Sequence, residues 1–223
     1  MRTLIAAALC AALMAAQQAS ASKIDEMCEA GNSSSCLAAG CGYEHGDKVV
    51  QDLPKAFDMY TRGCALNSAE SCFRLGLMLY HEGRCQRAAS AWESACKLNY
   101  SVACTNLGFL HDLGKGVKAD PKAAASYYRK ACELGEGKGC GDLGNLFHDG
   151  SIGKDLKEAA RFYGRACTLN DYNGCILLGG MYGKGEGVRK SQILADEYAH
   201  KGSHTSKTPA GDRERAAAGG IEK

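Results

Sequence analysis

Cysteine is the residue through which this chain could do most chemistry. Thirteen occur in 223 residues, and ten fall into five identical C-x7-C spacings: Cys28/Cys36, Cys64/Cys72, Cys96/Cys104, Cys132/Cys140 and Cys167/Cys175. Such a set can bind zinc as thiolates, staple the chain as disulfides, or exchange disulfides through exposed thiols. The spacing is wrong for the short C-x2-C knuckle of zinc sites, and the pairs read as structural disulfides. Cys41 and Cys85 stand outside the pattern. They are candidates for a sixth bridge or for a redox couple, although Cys41 takes a helix position held elsewhere by Leu77 or Phe109 and could simply be packed.

Two other sets of residues recur along the chain. His45, His81, His111 and His148 fall near the end of one helix in successive units, a row that could ligate metal or haem. Histidine also suits a helix C-terminus, where its cationic form meets the dipole. Neighbouring units would stand about 10 Å apart, too far to share one ion, so neither metal nor cofactor is expected. Arg62, Lys130, Arg165 and Lys201 occupy the same slot two residues before the cysteine, or before Ser203 in the last unit. This basic ladder could grip a carboxylate-bearing ligand or an acidic partner segment. It could equally place cations at helix ends.

The compartment follows from the N-terminus. Met1-Arg2 precedes an apolar run from Leu4 to Ala16, and Ala19-Ser20-Ala21 supplies a small-residue cleavage site. Residues 1–21 therefore read as a secretory signal peptide. Its removal takes Cys10 away and leaves twelve cysteines, an even number suited to an oxidising compartment. The expected location is periplasmic or secreted, with no membrane span after cleavage. A formal net charge of +2 offers no basic face for nucleic acid.

The elements that position these cysteines repeat with them. The first members of the pairs are 36, 32, 36 and 35 residues apart, a period that marks a helical repeat array. Four residues after each second cysteine stands a glycine: Gly40, Gly76, Gly108, Gly144 and Gly179. Ala56, Ala88, Ala124 and Ala159 precede the closing cysteine by eight, and Tyr60, Trp92, Tyr128 and Tyr163 precede it by four. Alanine and aromatic thus share one helical face. Each unit reads as two helices. The first starts near the second cysteine and ends at a glycine such as Gly114 or Gly150. The second opens at Asp120-Pro121 or Asp155, with a side-chain cap. The spacing predicts an all-α array over 22–202, with four full units and a capping fifth, and a disordered polar tail over 203–223.

The motif from Leu107-Gly108 to Cys132, repeated from Leu143-Gly144 to Cys167, resembles the Sel1-like repeat family, relatives of the tetratricopeptide repeats. The C-x7-C pairs resemble its cysteine-rich branch, the Helicobacter cysteine-rich proteins. The resemblance implies a right-handed superhelical solenoid of disulfide-stapled αα-hairpins whose concave face binds a protein or peptide. It also implies, as an alternative, weak β-lactamase or penicillin-binding activity on a β-lactam or cell-wall-related small molecule. A serine enzyme of that kind needs S-x-x-K with S-D-N and K-T-G. Ser20/Lys23, Ser94/Lys97 and Ser151/Lys154 match the first element only, and no residue is assigned a catalytic role. The expected function is a non-catalytic interaction scaffold, with thiol exchange at Cys41 and Cys85 a more distant reading.

Overall fold

A computed structural model describes residues 22–47 and 49–204. The expected signal peptide, 1–21, and all of the expected tail beyond residue 204 lie outside the described residues. Among the described residues every regular element is an α-helix. After α1, described over 22–29, come α2 (Ser33–His45), α3 (Leu53–Ala65), α4 (Ala69–His81), α5 (Cys85–Lys97) and α6 (Ser101–Leu113). They are followed by α7 (Pro121–Glu133), α8 (Gly137–Asp149), α9 (Leu156–Thr168), α10 (Tyr172–Lys184) and α11 (Gln192–His204). α11 therefore continues past residue 202, where the array was expected to end.

Local chemistry sets these boundaries. Asp52, Asp120 and Asp155 cap α3, α7 and α9 by accepting backbone N–H groups of the first turn. Gly46, Gly114, Gly150 and Gly185 end α2, α6, α8 and α10 in the left-handed conformation. The seven- and six-residue loops that follow are closed by a recurring backbone bond, as in Asp120 N to His111 O at 2.8 Å and Asp155 N to Phe147 O at 3.0 Å. Between α4 and α5 only residues 82–84 remain, so Cys85 begins a helix rather than lying in a loop.

The passage from a second helix into the next first helix is tighter. Three residues after the first cysteine of every pair the chain turns left-handed when described: Gly31, Asn67, Asn99, Gly135 and Asn170 all have positive φ. Around Asn67, Ser68 N bonds back to Gly63 O at 2.9 Å, the long bond of a Schellman ending. This turn brings the cysteines together. Cys28–Cys36, Cys64–Cys72, Cys132–Cys140 and Cys167–Cys175 are disulfides with Cα atoms 4.5–4.6 Å apart. Cys96 and Cys104 are also disulfide-bonded.

The chain divides into two compact units, residues 1–98 and 99–223. In the first, hairpins α2–α3 and α4–α5 stack, with α2 beside α4 and α3 beside α5. In the second, hairpins α6–α7, α8–α9 and α10–α11 stack likewise, with α6, α8 and α10 forming one layer. Inside each hairpin the aromatic of the second helix lies on the glycine of the first. A Cβ at Gly40, Gly108 or Gly144 would come within 3.0 Å of the ring of Tyr60, Tyr128 or Tyr163, and one at Gly76 would strike Trp92. The rings are buried, and so are Ala56, Ala88, Ala124 and Ala159 one turn earlier. The repeated glycine is thus a packing requirement: it admits a large ring at van der Waals distance from helix backbone.

Candidate functional site

In the second unit the layer of first helices carries an open groove of about 700 Å³ between α8 and α10. Gly141 makes room for it. One residue after the second cysteine, the other units carry Leu37, Phe73, Thr105 and Ile176, whereas α8 has no side chain there. A Cβ at Gly141 would lie 2.7 Å from Asp171 Oδ2. Asp171 therefore owes its place on the groove wall to that glycine, while it also caps α10 by accepting Gly174 N–H.

The groove has a polar and an apolar wall. Asp142 is 8% exposed, and its Oδ1 accepts from Asn145 Nδ2 at 3.5 Å. Asn145 Oδ1 in turn accepts from the buried Tyr163 hydroxyl at 2.8 Å, which fixes the carboxamide's orientation. Across the groove, Asn173 is exposed, and so are Ile176 at 51% and Leu177 at 39%. Large aliphatic side chains standing open beside one buried and one half-buried carboxylate are a combination suited to a ligand with both characters.

Electrostatics at the foot of the groove follow from burial. Burial raises the Asp171 carboxyl above its ordinary range, against the opposing pull of the Gly174 and Asn173 N–H groups and Lys138. Glu136, the residue before α8, is raised by burial and by the Asp171 charge, while Ser101 and Lys138 oppose the shift. Lys138 is thus shared between two carboxylates. Tyr128 is fully buried, and its hydroxyl has no hydrogen-bond partner among the described residues. Burial pushes this phenol far up, and the charges of Asp142 and Asp112 push it further.

The first unit builds a different surface at the same register. Tyr60 O–H lies 2.5 Å from Glu44 Oε2 and 3.4 Å from Cys41 Sγ, and Arg74 reaches both Glu44 (3.4 Å) and Glu70 (3.1 Å). Cys41 and Cys85 carry free, partly exposed thiols. The sixth bridge considered from the sequence is absent in this structure. Cys41 lies in the middle of α2 against the Tyr60 hydroxyl, and Cys85 is the first residue of α5.

The other candidate residues are dispersed. His45 Nδ1 stands 3.0 Å from the Cys41 carbonyl, His111 stacks on Tyr127, and His148 lies 3.9 Å from Glu186. No group of three His, Cys, Asp or Glu side chains among the described residues is arranged to hold a metal ion. Within the basic ladder, Arg165 donates to the Cys132 carbonyl at 2.9 Å and Lys201 pairs with Glu197 at 2.7 Å. Arg62 and Lys130 lie in the last turns of α3 and α7, on second helices rather than on the groove. Ser94 O–H donates to Ser90 O and Ser151 O–H to Asp149 Oδ1, while Ser20 of the first S-x-x-K match lies outside the described residues.

Sequence reading missed the groove residues Asp142, Asn145, Asp171, Asn173, Ile176 and Leu177. A signal was present. Two residues after the second cysteine the five units read Ala38, Arg74, Asn106, Asp142 and Leu177, a column as varied as the glycine column is uniform.

Comparison with known proteins fits this architecture. The Sel1 repeat model matches residues 33–68, 69–89, 101–136, 138–171 and 173–203. The short second match is the unit with the shortened α4–α5 link. Cytochrome c oxidase assembly factor 7 of Xenopus tropicalis is 29% identical over 128 residues, 52% of this chain and 55% of that protein. The chain spans about half the length of the curated relatives it matches. Among solved structures, c5321, a protective antigen of uropathogenic Escherichia coli displaying an SLR fold, has a TM-score of 0.77 at 25% identity. That match covers 83% of this chain and 41% of the antigen. Cysteine-rich protein B of Helicobacter pylori is 34% identical over 52% of this chain and 84% of its own, with a TM-score of 0.43. On the repeated family match, which follows the hairpins one by one, this chain belongs to the Sel1 repeat family.

Proposed function

We propose that the protein is an exported scaffold that binds a protein or peptide through the layer of first helices in its second unit. The observation that carries this reading is the groove between α8 and α10, with Ile176 and Leu177 open to a partner. Sel1 repeats generally mediate protein interactions, and the Xenopus relatives are named as assembly factors, a role of the same kind. The disulfides suit an oxidising compartment. No helix among the described residues is long and apolar enough to cross a membrane. Export is supported by the pattern at residues 1–21 and is checked by the N-terminal mass of the secreted or periplasmic protein, expected to begin at Ser22.

The binding reading is tested by crosslinking in the producing cell. A photo-reactive amino acid at position 177 should yield a discrete adduct. The same group at the exposed Lys157 on α9 should not. Equal yields of diffuse product from both positions would remove the support for a docking face.

A further inference from the structure

We infer that the edge of the second unit formed by its α6–α7, α8–α9 and α10–α11 loops docks on an anionic phospholipid membrane. This edge follows the C-terminal ends of α6, α8 and α10, whereas the groove is lined from the earlier part of α8 and α10. Residues 112–122, 149–157 and 184–190 hold eight Lys or Arg against five Asp or Glu, so these three stretches alone are more positive than the whole chain at +2. Four of the acids are engaged within their own loops. Asp120 and Asp155 each accept two backbone N–H groups, Asp149 accepts from Ser151, and Glu186 lies 3.8 Å from Lys184. Lys118, Lys154, Lys157, Arg189 and Lys190 are exposed and make no ion pair among the described residues.

The loops present these cations on a level surface. Each loop is closed by the same backbone bond to the last turn of its first helix: Asp120 N to His111 O at 2.8 Å, Asp155 N to Phe147 O at 3.0 Å and Ser191 N to Tyr182 O at 2.9 Å. The loops thus leave their stacked hairpins at one height. Gly187 packs on the Leu156 backbone, and His148 lies 3.9 Å from Glu186, so the last two loops touch. An apolar feature continues the basic row. Lys122, Lys157 and Ile193 are the second residues of α7, α9 and α11. Ile193 is 81% exposed, and Leu113, the last residue of α6, is 50% exposed. Long cations beside open aliphatic side chains match a bilayer surface, where the cations meet headgroup phosphates and the aliphatics enter the boundary beneath them. An acidic peptide would satisfy the cations but leave Ile193 and Leu113 in water.

The experiment is sedimentation with vesicles, using oxidised protein recovered after export. Vesicles of phosphatidylglycerol and phosphatidylcholine in equal parts should carry the protein down saturably, and vesicles of phosphatidylcholine alone should not. Salt at about 0.5 M should release it through screening. Lys118→Gln, Lys154→Gln and Lys190→Gln together should weaken binding about tenfold or more. Arg62→Gln, Lys130→Gln and Lys201→Gln remove the same charge near the ends of second helices and should weaken it less than about threefold. Ile193→Ser should weaken it about threefold or more. Unchanged thermal melts show that the variants are folded. Equal binding to neutral vesicles, no binding to anionic ones, or equal losses in the two triple variants would overturn the assignment. Soluble polyglutamate bound in place of vesicles, with the same dependence on the three lysines, would give the edge to an acidic protein segment and overturn it as well. Crosslinking from position 177 reads the groove and not this edge, so either reading can fail without the other.

Discussion

The ring of Tyr163 lies directly on the backbone of Gly144, with Cδ1 2.7 Å from where a Cβ would stand. The same two positions meet in the hairpins of Gly40 and Tyr60 and of Gly108 and Tyr128. Gly144→Ala should therefore force the ring or the helix aside and cost about 1–3 kcal/mol, as overpacking of a tight core does. Gly180, also in the first-helix layer, has nothing within 4 Å of its Cβ position. Gly180→Ala should stabilise the protein by about 0.5–1 kcal/mol through helix propensity alone. Urea melts of the two variants should move in opposite directions. A neutral Gly144→Ala would show that the packing is looser than the contact indicates.

The disulfides should act through the unfolded chain. Cys132 and Cys140 close a nine-residue loop across the turn at Gly135. Replacing both by alanine should cost about 2–3 kcal/mol in the chain-entropy model. Because the cysteines also belong to the buried core of the second unit, some packing is lost as well. The check is the urea midpoint of the double variant against the oxidised protein. A loss below about 0.5 kcal/mol would mean that the turn is already formed in the unfolded chain.

The uniform features of this fold were legible in sequence because a backbone demand is met by the same residue type in most units: the cysteine pair in five, the glycine under a ring in four and the capping aspartate in three. Glycine under an aromatic, cysteine on both sides of a turn and aspartate before a helix each answer a fixed geometry, so their columns repeat. The left-handed turn was equally written, as Gly31, Asn67, Asn99, Gly135 and Asn170, but two residue types share that task and obscure the column. The cysteine spacing puts helix starts near the second cysteine; they fall three residues before it, at Ser33, Ala69, Ser101, Gly137 and Tyr172. The groove was not legible. It arises where Gly141 lacks the side chain that its column carries elsewhere, where Asp142 and Asn145 stand in columns that vary from unit to unit, and where a cap residue, Asp171, is turned to a second use. Only the stacking of α8 on α10 brings those departures together.

Cys41 and Cys85 should titrate as two thiols in the denatured, unreduced mature protein, because neither is bonded. In the folded protein both should react with a thiol reagent more slowly than a free peptide thiol, since both are partly covered. Tyr60→Phe removes the hydroxyl that lies 3.4 Å from Cys41 Sγ and should change the rate at Cys41 alone. A count of zero would show that the two form a bridge and would end any redox role for a free couple.

The foot of the groove gives a pH signature. Burial raises the carboxyls of Glu136 and Asp171 above their ordinary values of 4.5 and 3.8. The folded state then holds protons that the unfolded state has released. The contribution of these groups is complete below those ordinary values and is lost as pH rises through the higher folded values. Asp120 and Glu158 run the other way: backbone N–H groups led by Ala123 lower the first and the Arg161 hydrogen bond lowers the second. The total pH dependence therefore mixes both signs, and the difference between variant and wild type isolates one. Glu136→Gln removes a charge that is costly to bury and keeps an acceptor for Ser101. Its stability advantage over wild type should be small near pH 4 and grow toward pH 7, followed by thermal melts at intervals of half a pH unit. An advantage that is constant with pH would mean that Glu136 titrates alike in both states. A loss that grows with pH would mean that its charge, paired with Lys138, holds α8 in place.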